Sequence, residues 1–521
     1  MGRTPARGLS RRALSAVAAT AMAAATLVGV GPATASATAT SAEPPARPLT
    51  AAPGVWSAGS WTSATGTPVS DVAKIIGSDT SGLDGTGVGI ALIDTGVAPV
   101  PGLPASQIVN GPDLSFDSQA SHLRYLDEYG HGTHLAGIIV GNDPATGLKG
   151  IAPKAKLTSI KVGAAGGVVD VTQVIAAVDW VVEHRTDDPA NPIKIIALAY
   201  GTDANADWAS DPLIFAVENA YRNGILVVVA GGNGGSTLDR LNSPAMSGAM
   251  LPVGSANSNG TISQADDTLS TFTSITNSMQ LDVVAPGEGI VSARVQGSGV
   301  DVAYPGARVG ETLLRGSGSS QATAVVAGAA ALLYQKAPTA TPFEIRTWIR
   351  NSAKKVTGAN ASRTVGELSI ANALKMAKPM VSVGLGSSTG LGSIETARGN
   401  IHVVHNNATL SGVKDIFGTF NNSTWVNATK NKTAWNGGLW MGKRLAGDGW
   451  TGSSWASKTW AGATWQANDW AGQTWADAAW SGRYWAGRYW AAGDWSGRYW
   501  ASSTWQANNY STKNWSSYGW Y

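Results

Sequence analysis

Cysteine is absent from this chain of 521 residues. That absence excludes a small disulfide-stapled scaffold, a thiol nucleophile and any thiolate metal site. Stability has to come from a large apolar core, which a domain of roughly 300 residues can bury. Charge is scarce, at 14% of residues, and nearly balanced, with 37 Lys and Arg against 34 Asp and Glu for a net +3. Long apolar runs are absent too, except for residues 13–30. That run follows Arg3, Arg7, Arg11 and Arg12 and precedes the small-residue site Ala35-Ser36-Ala37. This is the layout of a secretory signal peptide over residues 1–37. An uncleaved anchor is the rival reading, but the run is alanine-rich and near the lower limit for spanning. The pair Arg11-Arg12 hints at the twin-arginine route. Taking those four arginines from +3 leaves −1 for residues 38–521. Nothing in that charge points to nucleic acid or an anionic membrane as partner. The expected product is secreted and extracellular, with no integral membrane segment.

At 521 residues, two or three structural units are expected. Residues 38–84, rich in Ala, Thr, Ser, Gly and Pro with little periodicity, read as an extended leader. From 85 to 378 the pattern alternates. Val- and Ile-rich strands are predicted at 88–93, 157–162, 193–198 and 225–230, and helices at 131–140, 171–184, 212–222, 320–336 and 342–352. Asp211-Pro212 and Thr341-Pro342 each place a polar cap before a first-turn proline. Apolar strands with helices between them imply an α/β fold with a doubly wound, mostly parallel sheet covered on both faces. Residues 379–424 read as a connector, and 425–521 as a Trp-rich repeat region.

Four short stretches carry chemistry. Asp94, in Ile93-Asp94-Thr95-Gly96, ends a predicted strand, where a carboxylate can hold an imidazole in one tautomer. The bland reading is a turn aspartate. His131 opens His131-Gly132-Thr133-His134, with glycines beside it that permit close approach of backbone. Asn233 follows a buried strand and Gly231-Gly232, so its amide can donate to a developing oxyanion; an Asn-Gly turn is the alternative. Ser320, in Gly318-Ser319-Ser320-Gln321-Ala322-Thr323, starts a helix, where unpaired N–H groups stand beside its hydroxyl. Each stretch falls at the end of a strand or the start of a helix, where an open α/β sheet exposes side chains to a ligand.

The chain order Asp, His, Ser is that of subtilisin among the unrelated triad folds. With these motifs the chain resembles a subtilisin-like serine peptidase over 85–378. The resemblance implies an endopeptidase acting on proteins or peptides through an acyl-enzyme. It makes Ser320 the nucleophile rather than Ser319 or Ser317, His131 the base rather than His134, Asp94 its partner and Asn233 an oxyanion donor. It also places Ala199, Tyr200 and Gly201, with Ala230, Gly231 and Gly232, along the two sides of the primary substrate pocket. Tyr200 departs from the family's usual leucine there and is expected to reshape neighbouring subsites. Ala324 and Gln321 depart from its usual proline and methionine, with effects expected on packing only. A folded propeptide is common in the family, and the 47 residues of 38–84 are short for one.

No cofactor is expected. The zinc-protease spacing His-Glu-x-x-His is missing. Calcium often stabilises such peptidases, and Asp203-Ala-Asn205-Ala-Asp207 begins like a calcium loop. Trp208 and Ile214 then stand where glycine and glutamate are required, so a solvated loop is preferred.

From 435 to 520, 16 of the 18 positions spaced five apart are Trp, the exceptions being Leu445 and Tyr510. Such regularity marks a repeat array. A helix would spiral these indoles round every face and a flat strand would alternate them, so a ribbon or solenoid of five- or ten-residue turns is expected. Sixteen exposed indoles exceed what a monomer leaves uncovered, so they bury on one another, on the peptidase or on a partner such as cell-envelope glycan. Trp56 and Trp61 share the spacing. A rival reading makes the array the functional part, a surface-binding protein on a vestigial peptidase fold. On the peptidase reading, a chain ended after about residue 424 is expected to fold and stay active, because all four site residues precede that point.

Overall fold

The computed structural model describes residues 66–443, apart from 105, 120–124, 165, 205–206, 237–238, 381–386, 401, 406–407, 416–417 and 437–438, together with 506–507 and 517–520. The signal peptide, Trp56, Trp61 and most of the Trp array lie outside the described residues. Seven strands build the main sheet: β1 Gly89–Asp94, β2 Ile108–Asp113, β3 Lys156–Lys161, β4 Ile193–Leu198, β5 Leu226–Ala230, β6 Leu251–Asn257 and β7 Val283–Pro286. Their order is β6-β5-β4-β1-β3-β2, with β7 on β6, and all these pairings are parallel. The short strand Thr268–Leu269 adds an antiparallel edge to β6.

Seven helices matter here: α1 Val69–Ile76, α2 His131–Val140, α3 Val171–His184, α4 Pro212–Arg222, α5 Ser319–Lys336, α6 Pro342–Ser352 and α7 Asn422–Asn431. Alternation along each strand feeds two apolar layers. Ile93, Ile196, Leu198 and Val229 meet α3 and α4 on one face; Ile90, Leu92, Ile195 and Val228 meet α2 and α5 on the other. Both faces are therefore covered, as strands without polar alternation require. Local chemistry sets the helix starts. Asp170 accepts from Thr172 N while Gln173 reaches back to Asp170 N, and Thr341 and Glu344 do the same at α6. Asp211 caps α4 ahead of Pro212. A second sheet pairs β8 Ile290–Ala293 antiparallel with β9 Leu313–Gly318, with Thr67–Pro68 parallel to β8. Arg308–Val309 and β10 Ser517–Trp520 lie antiparallel on β9.

Two sequence readings are corrected. The extended leader does not hold for 67–76, because Val69, Val72, Ile75 and Ile76 form one buried stripe of α1. Nor is 379–424 a bare connector before a separate repeat region. Trp425 on α7, and Trp435 and Trp440 on a short hairpin, are buried in the same core layer as α3 and α4. Asp179, in the middle of α3, accepts from Trp425 Nε1 at 2.9 Å, Trp440 Nε1 at 3.0 Å and Thr429 Oγ1 at 3.0 Å. Trp435 Nε1 donates to Ala176 O at 2.9 Å. An aspartate inside an apolar helix is thus satisfied by groups about 250 residues further along.

A pair of acids elsewhere lacks donors of that kind. Asp267 and Glu367 are buried together and interact with each other, with the Gln264 amide beside Glu367. Burial pushes Asp267 up to about 6; burial, then the charge of Asp267 and the hydrogen bond between the two carboxyls, pushes Glu367 up to about 10, against Gln264 and Lys354. A carboxyl whose folded pKa is raised favours the fold in its protonated form. Stability is therefore fullest below the ordinary carboxyl range and is lost as pH climbs from there toward about 10. Glu367→Gln should remove that loss. Urea midpoints at pH 5, 7 and 9 should show the variant gaining on the wild type as pH rises, by more than about 1 kcal/mol at pH 9. A constant difference across the range would mean that Glu367 does not titrate in this interval.

Candidate active site

Asp94 is the last residue of β1 and His131 the first of α2, so two neighbouring elements deliver them to one edge of the sheet. His131 Nδ1 lies 2.7 Å from Asp94 Oδ1, and both side chains are buried. The same oxygen accepts from Thr95 N at 2.8 Å. Glycine is required on both sides of the imidazole. Gly130 has φ +97°, and a Cβ there would meet Ser298 Oγ at 2.5 Å; a Cβ on Gly132 would stand 2.1 Å from Gly96 O.

Asp127, which sequence reading missed, ties these pieces together. Its Oδ1 accepts from Thr95 Oγ1 at 2.8 Å and Gly130 N at 2.7 Å. Its Oδ2 accepts from Thr133 N at 2.8 Å and Thr133 Oγ1 at 2.6 Å. Burial pushes its pKa up, and these donors work against that shift. One carboxylate therefore joins the residue after Asp94 to residues on both sides of His131. The available signal was an Asp four positions before the histidine, where a helix entry needs acceptors. His134 is fully buried; burial, then the neighbouring His131, pushes its pKa down to about 3, which keeps it neutral.

Ser320 is the second residue of α5, reached through Gly318 at the end of β9. Its Oγ is 3.4 Å from Ala199 O, directly after β4. The competing serines are engaged by backbone. Ser319 Oγ accepts from Gly232 N at 3.3 Å, and Ser317 Oγ accepts from Gly289 N at 2.8 Å. Asn233 Oδ1 accepts from Ser319 N at 2.9 Å. That bond assigns the amide oxygen to Ser319 N and leaves the NH₂ as the donor end of the side chain.

Ala230 ends β5, and Gly231 and Gly232 continue from it toward Asn233. Gly231 pairs with Val253 O and Asn242 N. Gly232 takes φ +113°, and a Cβ would lie 2.8 Å from both Asn242 Oδ1 and Ser274 Oγ. Ala199, Tyr200 and Gly201 leave β4 beside Ser320. The ring of Tyr200 is buried in the layer of α3 and α4. Asp203 of the calcium-like run accepts from Asn400 N at 2.7 Å and Asn400 Nδ2 at 3.1 Å. Among the described residues no helix is long and apolar enough to cross a membrane.

These features agree with comparisons to known proteins. Serine protease AprX of Bacillus subtilis (strain 168) is 34% identical over 281 residues, covering 52% of this chain and 62% of the relative. Subtilisin DY of Bacillus licheniformis is 31% identical over 274 residues, covering 52% of this chain and 85% of the relative. The chain thus spans less than two thirds of the length of AprX. A crystal structure of a cold adapted subtilisin-like serine proteinase matches with 26% identity and a TM-score of 0.42, covering 55% of this chain and 91% of the other. The subtilase family model matches residues 85–367, more than half of the chain and all four motif stretches. The chain belongs to the subtilase family.

Proposed function

We propose that this chain is a secreted serine endopeptidase. The observation that carries the reading is the buried 2.7 Å contact between Asp94 Oδ1 and His131 Nδ1. With Nδ1 held by a carboxylate, Nε2 is the nitrogen left for proton transfer. Ser320 Oγ attacks the scissile carbonyl as His131 Nε2 takes its proton. Negative charge on the carbonyl oxygen falls to the Asn233 NH₂ and the Ser320 N–H. His131 then delivers the proton to the leaving amine, and an acyl group remains on Ser320. Water activated by the same imidazole releases it. Asp94 stabilises the imidazolium in both halves. No cofactor enters this chemistry. Substrate backbone is expected to lie between Ala199–Gly201 and Ala230–Gly232.

The name Minor extracellular protease Epr, a relative 30% identical over 273 residues, supports export, as does the signal-peptide pattern of residues 1–37. For the array, burial of Trp435 and Trp440 against α3 supports a wrap over the peptidase in preference to attachment to glycan.

A fluorophosphonate probe tests the main reading. It should label the folded wild type at Ser320, and the protein should digest casein; absence of both would end the proposal. Asn233→Ala should cut turnover by about 10²–10³ while leaving a folded protein. Wild-type turnover in that variant would require another donor at the oxyanion.

A further inference from the structure

Residues 394–415 lie beyond the span of the family model, yet they are bonded to the strand that leaves β4 beside Ser320. Thr202 Oγ1 donates to Ala397 O at 2.8 Å, a buried contact. Asp203 is held by Asn400 through backbone and side chain, and Gly399 approaches so closely that a Cβ would stand 2.2 Å from Asp203 Oδ1. On the other side, Thr202 and Ser243 exchange backbone hydrogen bonds at 2.9 and 3.0 Å. The strand is therefore clamped between Ser243 and 397–400.

Arg398 locks the outer half of that clamp. It is 1% exposed, and its Nε donates to Asp170 Oδ1 at 2.6 Å. Nη1 donates to Glu395 Oε2 at 3.1 Å and to Gly412 O at 2.8 Å, and Nη2 donates to Lys414 O. Asp170 is also the cap of α3. One guanidinium thus fastens 394–415 to the helix that packs behind the buried ring of Tyr200. A buried, bidentate-capable cation of this kind sets geometry more than it adds stability.

We infer that the described residues of 394–415 are a positioning element for substrate, holding 199–201 straight and at a set distance from Ser320 through Thr202 and Asp203, with Arg398 as its anchor. The inference rests on the serine peptidase reading. It gives a further role to a segment that neither the catalytic motifs nor the family model includes. Substrates long enough to pair with 199–201 should feel the element; a substrate confined to the scissile bond should not.

Two substrates separate these cases: a single-residue nitrophenyl ester, and a nitroanilide with four residues before the scissile bond. Thr202→Val and the exposed-site change Asn400→Ala should each raise KM for the long substrate about three- to tenfold, the worth of one hydrogen bond. Its kcat, and both constants for the ester, should stay near wild type. Arg398→Lys should do more in the same direction, and if it fails to fold the two milder variants still decide. Unchanged KM for the long substrate, with or without a fall in melting temperature, would make the element merely structural and overturn the inference. So would an equal rise for both substrates. Failure of the underlying reading looks different, since the wild type itself would neither cleave nor take the phosphonate.

Discussion

A chain ended at Thr424 should be unfolded or close to it, whereas one ended at Arg444 should stay folded and lose, among the described residues, only the edge pairings of β10 and 506–507. The shorter chain loses Trp425, Trp435 and Trp440, all buried in the layer that covers α3 and α4. Trp425 meets Phe215 edge-on at 5.4 Å, and Trp440 stacks on Phe420 at 6.0 Å. Removing one buried large aromatic typically costs about 3–5 kcal/mol. Three such losses are comparable to the whole stability of a domain, about 5–15 kcal/mol. The cut also leaves Asp179 without its three donors, in a site where burial pushes its pKa up to about 6. An unpartnered buried acid is costly on its own. Thermal melts by circular dichroism, with phosphonate labelling as a check on the site, decide the matter. Two chains melting within a few degrees of each other would show that the aromatic layer contributes little.

That outcome reverses the expectation drawn from sequence, and the reason is physical. Helices α3, α4 and α6 begin and end where the sequence places them, because Asp170, Asp211 and Thr341 cap locally; α2 does so too, without a side-chain cap. Strands β3, β4 and β5 show as Val- and Ile-rich runs. Strand β2, with Asn110, Gly111 and Pro112 inside it, and β9, with Arg315, Gly316 and Ser317, carry no such run. Long-range pairing, not local preference, makes them strands. The stripe of α1 was present at Val69, Val72, Ile75 and Ile76, but the Ala-, Thr- and Ser-rich composition around it hid the periodicity. Motif residues were legible because spacing and local context single them out. Asp127 and Asp179 were not, since each is defined by partners that only the fold brings near. For Asp179 the hint was a charge inside an otherwise apolar run, which has to find donors somewhere.

Ser320→Ala and His131→Ala should each remove nearly all turnover, about 10⁶-fold, the size seen when either residue is lost from subtilisin, a relative of this chain. Neither change should disturb the fold much. Ser320→Ala deletes one oxygen whose contact with Ala199 O is long, at 3.4 Å, and the Asn233 bond to Ser319 N does not involve it. The double variant should be no worse than either single one, because nucleophile and base act as a unit and removing one already idles the other. Asp94→Asn should cost less, about 10⁴-fold. Its oxygen can still serve Thr95 N and His131 Nδ1, which share Oδ1 in the wild type, but the charge that stabilises the imidazolium is gone. Single-turnover kinetics on a nitroanilide, with melting temperatures alongside, measure all four proteins. Multiplicative losses in the double variant would mean that Ser320 and His131 act independently, and the acyl-enzyme mechanism drawn from their placement would fall.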